Sequence, residues 1–182
     1  MNVCFVGHRK VANAEQIKDK LLHTISTLIK NGADTFIFGS KSDFNTLCWE
    51  VVTELQQQYP HIERIIYNAS HETAFISKEE RKNFERLFSQ IVRHEVHYTD
   101  YEKSVRSNKS LNANKNTYIM RNQDIIDNSD ICVFYYNKAY LPPKRRASNK
   151  FLPDYQPKSG TAIAYAYATQ KKKTILNTFE DI

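Results

Sequence analysis

Apolar positions along this chain fall into two kinds of run, and the two kinds alternate. The first kind is short and nearly continuous. Val3-Cys4-Phe5-Val6, Thr35-Phe36-Ile37-Phe38, Ile62-Glu63-Arg64-Ile65-Ile66-Tyr67, residues 130–136 and Thr174-Ile175-Leu176 belong to it. Such runs, rich in β-branched and aromatic side chains, predict strands. The second kind recurs at helical spacing. Ile17, Leu21, Leu22, Ile25, Leu28 and Ile29 mark one helical face. Phe44, Leu47, Cys48, Val51, Val52 and Leu55 mark a second, with Asp43 a candidate N-cap and Pro60 beyond its end. Phe84, Leu87, Phe88, Ile91 and Val92 mark a third. Residues 117–128 and 159–170 read as two more helices, and Glu95-Val96-His97-Tyr98 as a short strand.

Strands alternating with helices predict an α/β domain, a mainly parallel sheet with helices on both faces. Ligands of such sheets bind at the carboxyl ends of the strands. With 182 residues and no internal repeat, the chain is expected to be one domain over 1–182. Two segments read as mobile loops. Residues 102–116 are rich in Lys, Ser and Asn, and residues 137–157 hold four of the five prolines. The second is long for a connection, as a functional lid or a disordered segment would be.

Glycine placement sharpens the picture. There are only four. Gly7, Gly39 and Gly160 each stand between a strand-like run and a helix-like run, while Gly32 reads as a helix C-cap. Glycine at such a turn lets backbone approach a ligand, and the helix N-terminus beyond it offers N–H groups to an anion. Three such turns suggest a phosphate-containing small molecule.

Composition changes this little. Hydrophobic residues make up 41% and charged residues 25%, ordinary for a globular chain. No apolar run approaches the roughly 20 residues of a membrane span. Met1-Asn2-Val3 leads straight into a strand, so no secretory signal is expected. Cys4, Cys48 and Cys132 are far apart in apolar stretches, which predicts buried reduced thiols in a cytoplasmic protein and neither a metal site nor a disulfide. The net charge is +6, and residues 137–158 hold six basic residues against Asp154 alone. Such a cluster is either a solvated loop or an attractor for phosphate-bearing partners.

Four segments carry candidate chemistry. In Gly7-His8-Arg9, Arg9 suits a phosphate clamp, and His8 suits phosphate binding or proton transfer. The alternative is a capping turn with a surface Arg. Around Gly39-Ser40-Lys41-Ser42-Asp43-Phe44-Asn45, a small polar turn precedes a helix. It matches neither a Walker A loop nor a GxGxxG fingerprint, and Asp43 or Ser42 is equally an N-cap. Glu50, off the apolar stripe, reads as a solvent-exposed acid. Arg121 and Asn122 either point at the ligand edge, or Arg121 pairs with Asp124 or Asp127 on the surface. In Lys158-Ser159-Gly160-Thr161, backbone amides and hydroxyls ahead of a small-residue helix form a phosphate nest.

Together these segments resemble the SLOG superfamily of the Smf/DprA and LOG proteins, and most of all its stand-alone YspA/YpsA-like members. The resemblance rests on Gly7-His8-Arg9, Phe38-Gly39-Ser40 with Asp43-Phe44-Asn45, Arg121-Asn122 followed by Asp127-Asn128-Ser129-Asp130, Ser159-Gly160-Thr161, and Tyr165-Ala166, in that order. It implies a Rossmann-like three-layer fold that binds nucleotides or nucleotide-derived molecules, ADP-ribose-type signals among them. It also implies dimers or larger assemblies, for which 11 Tyr and 10 Phe leave apolar surface. LOG enzymes cleave a nucleoside monophosphate to base and ribose phosphate through a Glu in Pro-Gly-Gly-x-Gly-Thr-x-x-Glu. Here Ala164 stands at that position. Alanine cannot activate water, so the expected function is binding, as sensor, carrier or sequestering protein, with no cofactor or metal. Two alternatives stand beside it. One is a nucleotide N-glycosidase (phosphoribohydrolase) using another acid, such as Glu50 or Glu72. The other is single-stranded DNA binding through the basic loop with Tyr140, Phe151 and Tyr155.

Overall fold

The computed structural model describes residues 1–39, 42–67, 97–98, 115–144 and 156–179. Six strands and four helices are defined among them. In chain order they are β1 (Asn2–Gly7), α1 (Ala14–Lys30), β2 (Thr35–Gly39), α2 (Asp43–Gln56), β3 (Glu63–Tyr67), β4 (His97–Tyr98), α3 (Lys115–Asp127), β5 (Ile131–Tyr135), α4 (Gly160–Gln170) and β6 (Thr174–Asn177). The strands form one sheet in the order β4-β3-β2-β1-β5-β6. Every neighbouring pair is parallel. The expected α/β architecture is present, with each described element within three residues of its predicted bounds. The predicted helix around Phe84–Val92 lies outside the described residues. So do residues 102–114 and 145–155 of the two proposed loops. Lys115 and Asn116, expected in the first loop, already belong to α3.

The two faces of the sheet are covered by different helices. Val3, Phe5, Phe36, Phe38, Val133 and Tyr135 pack with α1 and α2. Cys4, Val6, Ile37, Cys132 and Phe134 pack with Ile125 and Ile126 of α3 and Ala164 and Ala168 of α4. Strand alternation assigns the residues to these faces. Each fully buried phenylalanine, such as Phe5 or Phe38, contributes about 1.5–3 kcal/mol by leaving water. The small residues of α4 let it lie close to the sheet. The three cysteines are free and buried, as expected. Among the described residues no helix is long and apolar enough to cross a membrane.

Gly32 ends α1 as predicted. Its φ of +93° is one that side chains resist. Its N–H donates to Ile29 O at 3.0 Å, and the next N–H, of Ala33, reaches Leu28 O at 2.9 Å. This pair of bonds is the Schellman motif.

Gly7 has a reason that periodicity did not reveal. A Cβ built there would overlap the Phe44 ring and stand 2.7 Å from Phe44 Cβ. Phe44 is fully buried and stacks on Tyr135 with centroids 5.7 Å apart. The space over the end of β1 therefore belongs to a core side chain. Gly7→Ala is expected to cost about 1–3 kcal/mol by overpacking. Chemical denaturation against wild type checks this, and an unchanged midpoint would contradict the packing.

Candidate ligand-binding site

β1 runs into α1 on one face of the sheet, while β5 leads to α4 on the other. The two strands are neighbours in the sheet. The order of strands reverses there, and the carboxyl ends of β1 and β5 diverge into a crevice, the position where open α/β sheets take ligands. Gly7-His8-Arg9 forms one lip of this crevice and the segment after Tyr135 forms the other.

His8 fastens the two lips together. Its N–H donates to Tyr135 O at 3.1 Å. Its Nε2 accepts the Asn137 N–H at 3.0 Å, which assigns the proton of the neutral ring to Nδ1. The imidazole is 8% exposed and packs among Tyr135, Tyr136 and Tyr140. Burial holds its pKa below the ordinary 6.5. Arg9 is exposed, and its carbonyl accepts the Asp43 N–H at 2.9 Å.

Next to this crevice lies the turn after β2. Ser42, not Asp43, is the N-cap of α2. Its Oγ accepts from Asn45 N at 3.1 Å and from Asn45 Nδ2 at 2.9 Å. Asn45 Oδ1 accepts the Gly39 N–H at 3.0 Å. The buried Asn45 amide thus ties the end of β2 to the start of α2. Asp43, one residue inside the helix, pairs with Lys10 at 3.3 Å. Ser40 lies outside the described residues. Glu50 is exposed, as expected, and Glu72 lies outside the described residues.

Arg121 is not on the surface. It is 6% exposed, and its guanidinium lies over Gly39, so that a Cβ there would sit 3.4 Å from Nη2. The surface alternative is overturned by this burial, and Asp127 binds Lys171 at 3.3 Å and the Tyr167 hydroxyl at 2.8 Å. Arg121 also donates to Asn122 Oδ1 at 3.3 Å and sits 5.3 Å over the Tyr118 ring. A permanent cation is thereby held at the carboxyl edge of the sheet.

On the other side of the crevice, Ser159 caps α4. Its Oγ accepts the Ala162 N–H at 3.0 Å. Helix geometry leaves the Gly160 and Thr161 amides without intrahelical partners. Nothing lies within 4 Å of a Cβ built on Gly160, the one strand–helix glycine of the three that opens to space. Lys158 is exposed and Thr161 buried. Ala164 is buried in the core between α4 and the sheet.

A model described as the YspA SLOG family matches residues 4–173. The chain belongs to the YspA SLOG family. Membership carries a nucleotide-related binding or processing role. A comparison with curated proteins found no match.

Two residues of this candidate site carried no clear functional signal in the sequence of this SLOG protein. Asn137 is the hub of the β5 lip. Its amide bonds His8, its Oδ1 accepts the Ala139 N–H at 2.8 Å, and its carbonyl accepts the Tyr140 N–H at 3.1 Å. Asn177, at the end of β6, clasps Tyr136 from the side. Its Oδ1 accepts Tyr136 N and its Nδ2 donates to Tyr136 O, both at 3.0 Å. The Asn-x-Ala-Tyr stretch carried a local turn signal, since Asn readily bonds the backbone two residues on. Nothing local marked Asn177, whose partner is 41 residues away.

Two outcomes are expected. Asn45→Ala leaves the buried Gly39 amide without its acceptor and costs about 1–3 kcal/mol, read by denaturant melts. The His8 prediction concerns pH. Above 6.5, His8 is neutral in both the folded and unfolded states and its full contribution is present. As pH falls through 6.5 the unfolded chain takes up the proton first, so stability declines until the lower folded pKa is reached. Melting temperatures between pH 7.5 and 5.5 test this, and the fall must be smaller in His8→Gln.

Proposed function

We propose that this protein binds a nucleotide-derived ligand of the ADP-ribose type at the β1/β5 crevice and holds it without cleaving it. One observation carries the reading. A buried guanidinium, Arg121, and the N-terminus of α4, where a Cβ on Gly160 would meet nothing within 4 Å, stand at the same carboxyl edge of the sheet. Both favour anions, one by charge and bidentate donors, the other by amides without intrahelical partners and the helix dipole. A ligand with a diphosphate offers anionic oxygens for two such sites. The phosphates would lie against Gly160, Thr161, Ser159 and Lys158 on one side. Gly7, His8, Arg9 and Gly39, with Ser40, Asp43 and Asn45 shaping the turn, form the other wall, beside Arg121 and Asn122.

Retention without turnover is supported by Ala164. The position of the LOG glutamate carries a methyl group, buried against the sheet, which neither donates nor accepts a proton. Sensing, carriage or sequestration in the cytoplasm all fit such a site, as does a homo-oligomer.

A thermal-shift series with AMP, ADP-ribose, cyclic ADP-ribose isomers, NAD and oligonucleotides tests this. At a hundredfold excess over Kd, a bound ligand adds about 2.7 kcal/mol, a rise of roughly 5–10 °C. Chromatography must then return the ligand intact. Gly160→Asp supplies the control. Its side chain enters open space at a helix N-terminus, where a carboxylate favours folding but repels phosphate. The variant is expected to melt no lower than wild type and to lose the shift. Recovery of free base and ribose phosphate would overturn the holding role, and a shift with oligonucleotides alone would overturn the ligand class.

A further inference from the structure

The described residues expose only two large apolar side chains, and they are consecutive. Tyr140 is 47% exposed and Leu141 69%. Both lie on the β5 lip of the crevice. Tyr67 and Tyr135, at the ends of β3 and β5, are buried. Adjacent exposed apolar side chains beside a cleft are available to a ligand that enters it.

Tyr140 is also held in place. The Asn137 carbonyl accepts its N–H at 3.1 Å, closing a turn whose first residue is pinned to His8. Its ring packs on the His8 imidazole with centroids 4.6 Å apart. His8 continues the aromatic contact to Tyr136 at 5.9 Å, and Tyr136 to Tyr165 at 4.6 Å. A row of rings therefore backs Tyr140 from within, while much of Tyr140 remains open to solvent.

We infer that Tyr140, supported by His8, is a stacking platform for the nucleobase of the bound ligand. This rests on the ligand reading given above and assigns the base end of the site, where that reading assigned the phosphate end. A planar base has an extended π-face, and an anchored tyrosine offers a matching one without loss of loop freedom on binding. Leu141 extends the apolar floor. Recognition by stacking is tolerant of base identity, since no hydrogen-bond code is involved.

Isothermal titration of the full chain with AMP and with ribose 5-phosphate tests the platform. The two probes share ribose and phosphate and differ by the base. Wild type is expected to bind AMP more tightly. Tyr140→Ala is expected to weaken AMP binding by about 5- to 150-fold, the range given by base–aromatic stacking, and to leave ribose 5-phosphate unchanged. Tyr140→Phe keeps the ring and is expected to retain AMP affinity. Equal weakening of both probes, or no change in either, overturns the platform while the phosphate site stands. Failure of wild type to bind either probe, and ADP-ribose as well, overturns the ligand reading, and the platform with it.

Discussion

Burial of β1 on all sides is the constraint on which the structure depends. Val3, Cys4 and Phe5 are fully buried, with β2 and β5 alongside and helices above and below. A parallel strand cannot leave either face in water, so the chain must supply cover twice. It does so by sending α1 and α2 to one face and α3 and α4 to the other. The change of face falls between β1 and β5. A crevice at their carboxyl ends follows from that change alone, before any particular side chain is considered.

Polar residues at that edge divide into two groups. Ser42, Asn45, Ser159, Asn137 and Asn177 hold backbone. Their oxygens and amides satisfy the turns that connect strand to helix, a need that buried loops cannot escape. His8 belongs with them, because its Nε2 already accepts the Asn137 amide. Arg121 differs. Its guanidinium is carried two turns into α3 and laid over Gly39, where its charge faces the end of β2. The first amides of α4 differ as well, since Ser159 caps only the third.

The three glycines at strand–helix turns show how one sequence signal can have three physical causes. Phe44 occupies the space above Gly7, and the Arg121 guanidinium borders Gly39. Only Gly160 faces open space. Local sequence marks each as a close approach and does not say what approaches. The same holds for Ser42 and Asp43. Both residue types cap helices, and the cap went to Ser42 because the backbone turns helical at Asp43.

The order of strands and helices, the buried stripe of α2 and the Schellman end of α1 were legible in the chain itself. Each depends on residues within a few positions of one another, so periodicity and turn chemistry suffice to read it. The ordered segments from Gly7-His8-Arg9 to Ser159-Gly160-Thr161 likewise pointed to the family. Which face each helix covers, the burial of Arg121 over Gly39, and the clasp of Asn177 on Tyr136 were decided only by the tertiary structure. Those contacts join residues from 41 to 82 positions apart. No local pattern encodes such a pairing, because it arises when the sheet brings the strand ends side by side.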